Sequence, residues 1–172
     1  MNSEFKDFVL KYGLIVGLLQ VIIVLFSYLM GIEYMVSYWL AFFNIIIVIW
    51  AVIYCGVLWK RMNEGYLDFK QSFLTIFLVY AIAALIMVVF NIALYNVDPD
   101  LPGQIKEAAV EKVVTMMEKV GAPEESIDQA IDDIENSDSY SISSFMTGYI
   151  WSLLWGAIIA LIGGAVIKKS RQ

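Results

Sequence analysis

Histidine is absent from this 172-residue chain, and cysteine occurs once, at Cys55. The first absence removes the commonest general base and the commonest metal ligand. The second excludes an internal disulfide, and together they exclude Ser/His and Cys/His catalytic arrangements. No convincing strand is present, so no Gly-rich phosphate loop follows one. Charge is also missing where it matters most. Four stretches, Tyr12 to Gly31, Tyr38 to Trp59, Phe73 to Tyr95 and Phe145 to Ile167, contain no Asp, Glu, Lys or Arg.

What fills those stretches decides the class. Apolar residues make up 60% of the chain, against roughly 45–50% in soluble domains. A helix rises about 1.5 Å per residue, so about 20 apolar residues cross a hydrocarbon core about 30 Å thick. All four runs reach that length, and none shows the polar face of a soluble amphipathic helix. The first run is too long for the apolar part of a secretory signal. Ser27-Tyr28-Leu29-Met30 also puts bulky residues where a peptidase needs small ones, so it reads as an uncleaved span.

The basic residues set the expected orientation. Lys6, Lys11, Lys60, Arg61, Lys70, Lys168, Lys169 and Arg171 flank the spans on one side. The other side carries only Lys106, Lys112 and Lys119, all away from the span ends. The positive-inside bias places both termini in the cytoplasm. Tyr12, Trp59 and Tyr66 at one boundary, and Tyr34, Tyr38, Trp39 and Tyr95 at the other, suit the headgroup layer.

Residues 96–144 form the one long insertion. From Asp98 to Asp138 there are twelve acidic and three basic residues, a local charge of −9. Pro102 and Gly103 open a helix whose stripe is Ile105, Ala109, Val113, Met116 and Val120, widened by Val110, Val114 and Met117. Gly121 fits the left-handed C′ position, and Pro123 suits a first helical turn. A second helix follows, with Ile127, Ala130, Ile131 and Ile134 on one face and Glu124 and Glu125 in its first turn, where the dipole favours them. A helix must bury its stripe. The stripes therefore pack on each other and the bundle, or form a candidate partner surface at Ile127, Ala130, Ile131 and Ile134.

Inside lipid, helices associate through close packing and a few polar contacts. Gly148, Ser152, Gly156, Ala160 and Gly164 recur every four residues in the last span, and Gly13 and Gly17 form a shorter row in the first. Such rows serve packing within one chain or homo-oligomerisation. Gln20, Ser27, Asn44, Thr75, Asn91 and Ser152 are expected to face the interior and bond between helices, too few for a wide aqueous pore.

Candidate chemistry is sparse. No ionisable carboxylate or amine lies within a span, and proton relays and ion-coupled transport usually need one. The acids of the insertion lack EF-hand spacing and read as solvated helix faces rather than a Ca²⁺ site. The turn Arg61 to Lys70 reads as topology and anchoring, with Asp68 capping the third span. Glu33-Tyr34 is a polar spot at a boundary, within reach of Asn91 or the hairpin. No catalytic residue, cofactor, metal or nucleic-acid partner is expected.

The layout resembles a bacterial inner-membrane family known as domain of unknown function 4199. The resemblance rests on Gly13 to Gly17, on the turn Arg61 to Phe73 with Gly65, Phe69 and Phe73, on Gly121-Ala122-Pro123-Glu124-Glu125-Ser126-Ile127, and on the small-residue last span running into Lys168 and Lys169. It implies four spans with a helical hairpin between the last two, and no known activity.

The expected fold is an all-α integral membrane protein. Residues 1–172 form one membrane domain, a four-transmembrane-helix bundle, with an extracytoplasmic acidic helical hairpin at 96–144. The expected place is the bacterial cytoplasmic (inner) membrane. The expected role is a non-enzymatic accessory or scaffold component of the cell envelope, embedded in the lipid bilayer, with a membrane or periplasmic protein docking on the outer hairpin. A small oligomeric transporter or channel is the alternative.

Overall fold

A computed structural model describes residues 3–138 and 140–169. The described residues form seven helices: α1 (Ser3–Met30), α2 (Ile32–Met35), α3 (Tyr38–Met62), α4 (Phe69–Val97), α5 (Leu101–Lys119), α6 (Glu124–Glu135) and α7 (Ile142–Ile167). Of these, α1, α3, α4 and α7 are long and apolar enough to cross a membrane. They contain the four charge-free runs except Gly31, which falls just after α1, and α1, α4 and α7 begin before them. The extra two turns of α1 carry Glu4, Lys6, Asp7 and Lys11 outward while burying Phe5, Phe8 and Val9.

α4 is the centre of the bundle, with α1 and α7 packed along it and α3 more lightly against all three. Glycine makes both close approaches. A Cβ at Gly13 would lie 2.7 Å from Ile82 Cβ, and one at Gly17 2.6 Å from Ile86 Cδ1. On α7, Gly156 lies against the Tyr80 ring, and a Cβ at Gly164 would come within 3.1 Å of the Phe73 backbone nitrogen. Ala160 between them is fully buried. Gly13 and Gly17 of the first row, and Gly156 and Gly164 of the second, thus meet α4 of the same chain.

The expected row on α7 is not one continuous face. Gly148 is exposed, with open space where its Cβ would be, and Ser152 is only half-buried. Five positions at a four-residue spacing drift around a helix of 3.6 residues per turn, so the Gly148 end of the row leaves the contact while Gly156, Ala160 and Gly164 keep it. The sequence reading missed Gly163 and Gly56. A Cβ at the first would sit 2.9 Å from Ile76 Cδ1, and one at the second 2.6 Å from Ile167 Cδ1.

Two of the span hydroxyls also differ from expectation. Ser27 donates to Ile23 O at 2.9 Å and Thr75 to Gln71 O at 2.7 Å, each within its own helix, whereas Ser152 donates to Tyr149 O at 2.7 Å and also meets the Tyr80 hydroxyl of α4 as expected. For Ser27 and Thr75 a carbonyl one turn back is the nearest acceptor, and it satisfies the hydroxyl without a second helix. A further bond between α7 and α4 comes from Tyr149, whose hydroxyl donates to Ala81 O at 3.2 Å.

The two ends of the bundle are built differently. At the basic end, Trp59 packs edge-on to Phe5 with centroids 5.3 Å apart and tilted against Phe8 at 4.8 Å. Lys60 Nζ donates to Ile167 O at 2.7 Å, and Leu67 and Lys169 exchange backbone bonds of 3.0 and 2.8 Å. Asp68 caps α4 by accepting from Gln71 N at 2.7 Å. At the opposite end the bundle opens. Between Trp39 and Ile47 of α3 only Leu40 and Asn44 are half-buried and the rest is exposed.

Candidate functional site

The open end carries α2, α5 and α6. Gly31 takes φ +110°, a conformation that costs glycine little and that ends α1. One turn of helix, α2, follows, and then extended Ser37 leads into α3. α5 packs across α2. Lys112 Nζ donates to Glu33 O at 3.1 Å and to Val36 O at 3.0 Å, so its ammonium serves carbonyls at the end of α2. A cation is favoured there by the exposed carbonyl dipoles. Glu33 thus meets the α5–α6 segment through its backbone rather than through its carboxylate.

Between α2, the start of α3 and the second half of α5 lies a cleft of about 700 Å³. Tyr34 and Tyr38 line one wall, and Lys112, Met116, Lys119 and Val120 the other. Met116 and Val120 were expected to bury themselves in the α5 stripe, but they are 56% and 74% exposed and face this cleft. The stripe splits because two partners share α5. Ile105, Ala109, Val110, Val113, Val114 and Met117 are half-buried, while Ala108, Lys112, Thr115 and Lys119 recur along the cleft side.

α6 packs on α5. The turn between them has the Schellman pattern, with Gly121 at φ +71°, Gly121 N bonded to Glu118 O at 3.0 Å and Ala122 N to Met117 O at 2.9 Å. Pro123 falls at the N-cap of α6, one position earlier than expected. Ile127, Ala130, Ile131 and Ile134 are all half-buried. They occupy the apolar face of a helix whose neighbour is α5, so this surface is not free. The exposed side of α6 carries Glu124, Glu125, Asp128, Asp132, Asp133 and Glu135. Lys106 closes the far end of α6, donating to Glu135 O at 3.0 Å and Ser137 O at 2.6 Å.

Two further contacts hold the residues that flank this pair of helices against the spans. The Tyr28 hydroxyl bonds to Asp98 at the C-cap of α4. Tyr95, near the end of α4, packs edge-on to Tyr140 at 5.5 Å and stacks with Phe145 of α7 at 5.6 Å. Burial there pushes the Tyr140 hydroxyl above its usual pKa.

Four apolar helices around a glycine-lined centre, with one polar helix pair strapped to an end, define a multi-pass membrane protein. The chain belongs to the family described as "Protein of unknown function (DUF4199)", whose model matches residues 11–169. The match takes in all of α2 to α7 and most of α1. No curated protein and no solved structure matches the chain.

Proposed function

We propose that this protein is a non-enzymatic accessory or scaffold component of the bacterial cytoplasmic membrane, with both termini in the cytoplasm and the α5–α6 pair outside. The observation that carries this reading is the way α5 and α6 are held. Tyr28, Lys112 and the Tyr95–Tyr140 pair fasten the segment at three places, and the packing on α5 turns the acids of α6 outward. An ordered acidic face at a fixed height above the bilayer suits a basic surface on a membrane or periplasmic protein. The orientation rests on the excess of Lys and Arg at the other boundary. The non-enzymatic reading rests on the lack of histidine and of carboxylates and amines inside the four charge-free runs.

The test is affinity purification of the full chain in mild detergent beside a variant with Glu125→Gln, Asp128→Asn and Asp132→Asn. These side chains are exposed, so the fold is expected to persist. A partner docked on this face is lost from the neutralised variant and recovered when Asp128 and Asp132 are replaced by Glu. Recovery of the same proteins from all three preparations would sink the reading.

A further inference from the structure

We propose that the cleft between α2 and α5 binds the headgroup of a zwitterionic phospholipid. The inference is independent of the protein partner proposed above, and it holds for either orientation of the chain.

Position comes first. α2 lies between Met30, where α1 ends, and Tyr38, where α3 begins. The cleft therefore opens at the boundary between hydrocarbon and water, the layer that headgroups occupy. Tyr34 and Tyr38 are 42% and 59% exposed on its wall, and such rings favour that layer. A volume of about 700 Å³ falls within the range of small-ligand sites, about 300–1,000 Å³.

Charge selects the headgroup. Lys112 and Lys119 line the cleft together with Glu33 and Glu111. An anionic headgroup complements the two ammoniums and opposes the two carboxylates. A headgroup holding a phosphate and an ammonium answers both pairs. Lys112 is also preset for this. An ammonium has three N–H donors, and two are spent on Glu33 O and Val36 O. The third remains for a phosphate oxygen. Lys119 follows two turns on, about 10 Å along the helix axis, and Glu111 sits beside Lys112 in sequence. A bound ammonium would also find the faces of Tyr34 and Tyr38 within the same cleft, where cation–π attraction adds to the carboxylates.

Apolar complementarity agrees. Met116 and Val120 are the exposed part of the α5 stripe and lie in this cleft. The glycerol and upper acyl segments of a lipid would cover them, removing apolar surface from water.

The test is native mass spectrometry of the full chain, delipidated in mild detergent. It is then mixed with equal amounts of phosphatidylethanolamine, phosphatidylglycerol and diacylglycerol of identical acyl chains. The expected result is one phosphatidylethanolamine retained about tenfold over either competitor. Thr115→Trp fills the cleft, and Lys119→Ala removes one phosphate contact. Each is expected to abolish that preference, while Glu125→Gln on the exposed face of α6 leaves it intact. Thr115→Trp counts only if its helicity and elution match the parent. Lys119 is exposed, so Lys119→Ala decides if Thr115→Trp misfolds. Equal retention of the three lipids, preference for phosphatidylglycerol, or an unchanged preference in every folded variant would overturn the proposal.

Discussion

The Tyr28 hydroxyl donates to a carboxylate oxygen of Asp98 at 2.9 Å, joining the last turn of α1 to the residue that ends α4. Leu101 N bonds in turn to Asp98 O at 3.2 Å, and the Leu101 side chain is fully buried. One contact thus fixes the point where the chain leaves the bundle and where α5 begins. A carboxylate is a stronger acceptor than a neutral carbonyl, so the contact is directional as well as local. Tyr28→Phe removes the donor and keeps the ring. Amide exchange in the first turn of α5 is expected to quicken by about tenfold, with the core of α4 unchanged. Unaltered exchange at Leu101 to Gln104 would show that α5 is held by other contacts.

The α5–α6 pair offers a second test. Ile131 is half-buried on the face of α6 that carries Ile127 and Ile134. Ile131→Asp puts an unpaired carboxylate against α5, which costs several kcal/mol before relaxation. The two helices then part, and limited proteolysis near Gly121 is expected to speed up strongly. Asp132→Ala, at an exposed neighbour, leaves the rate unchanged. If Ile131→Asp is cleaved no faster than the parent, α6 does not depend on this face.

The spans were legible in the sequence because lipid leaves charge no cheap place inside them. The helix ends were harder to read. Among the described residues α1 extends well ahead of the charge-free run because Phe5, Phe8 and Val9 share a buried face, while Glu4, Lys6, Asp7 and Lys11 on the other faces interrupt that run. α2 has four residues, too few for any periodicity. Gly121 could be placed because a helix end, a left-handed residue and a following proline are all local events. The cleft could not be read, since it depends on which side of α5 meets α2. Lys106 and Lys112 were only positive charges in the sequence, and each proves to bond two carbonyls in another segment. The small-residue rows were visible as rows. Which members make contact depends on how α4 crosses α1 and α7, and the spacing alone does not fix that.

The proposed orientation rests on the charge pattern and is tested by reporters. A periplasm-active enzyme fused after Ser137, beyond α6, is expected to be active. The same enzyme fused after Gly65, in the turn between α3 and α4, is expected to be silent. Lys60, Arg61 and Lys70 flank that turn, and translocating it would move three cations across the bilayer against the positive-inside bias. Activity at Gly65 with silence at Ser137 would invert the chain and move the acidic face of α6 to the cytoplasm.

The last prediction uses two glycines of the same row. Gly156 is buried against the Tyr80 ring, while Gly148, two turns earlier, has open space at its Cβ position. Gly156→Leu drives a branched side chain into α4, so Tyr80 must swing away and the turns near Ala160 lose contact. Overpacking of this kind costs typically about 1–3 kcal/mol in a well-packed interior. Gly148→Leu adds the same atoms at an exposed position with open space around its Cβ, and leucine is also the better helix former. The measurement is the fraction of monodisperse protein that survives a heating step in detergent. Gly156→Leu is expected to fall well below the parent, with Gly148→Leu at or slightly above it. Tyr80→Ala should partly rescue Gly156→Leu, because it vacates the space that the new side chain needs. Equal loss in the two leucine variants would mean that the α4–α7 contact does not run through Gly156. A change of oligomer size in Gly148→Leu alone would move the self-association face to the exposed end of the row.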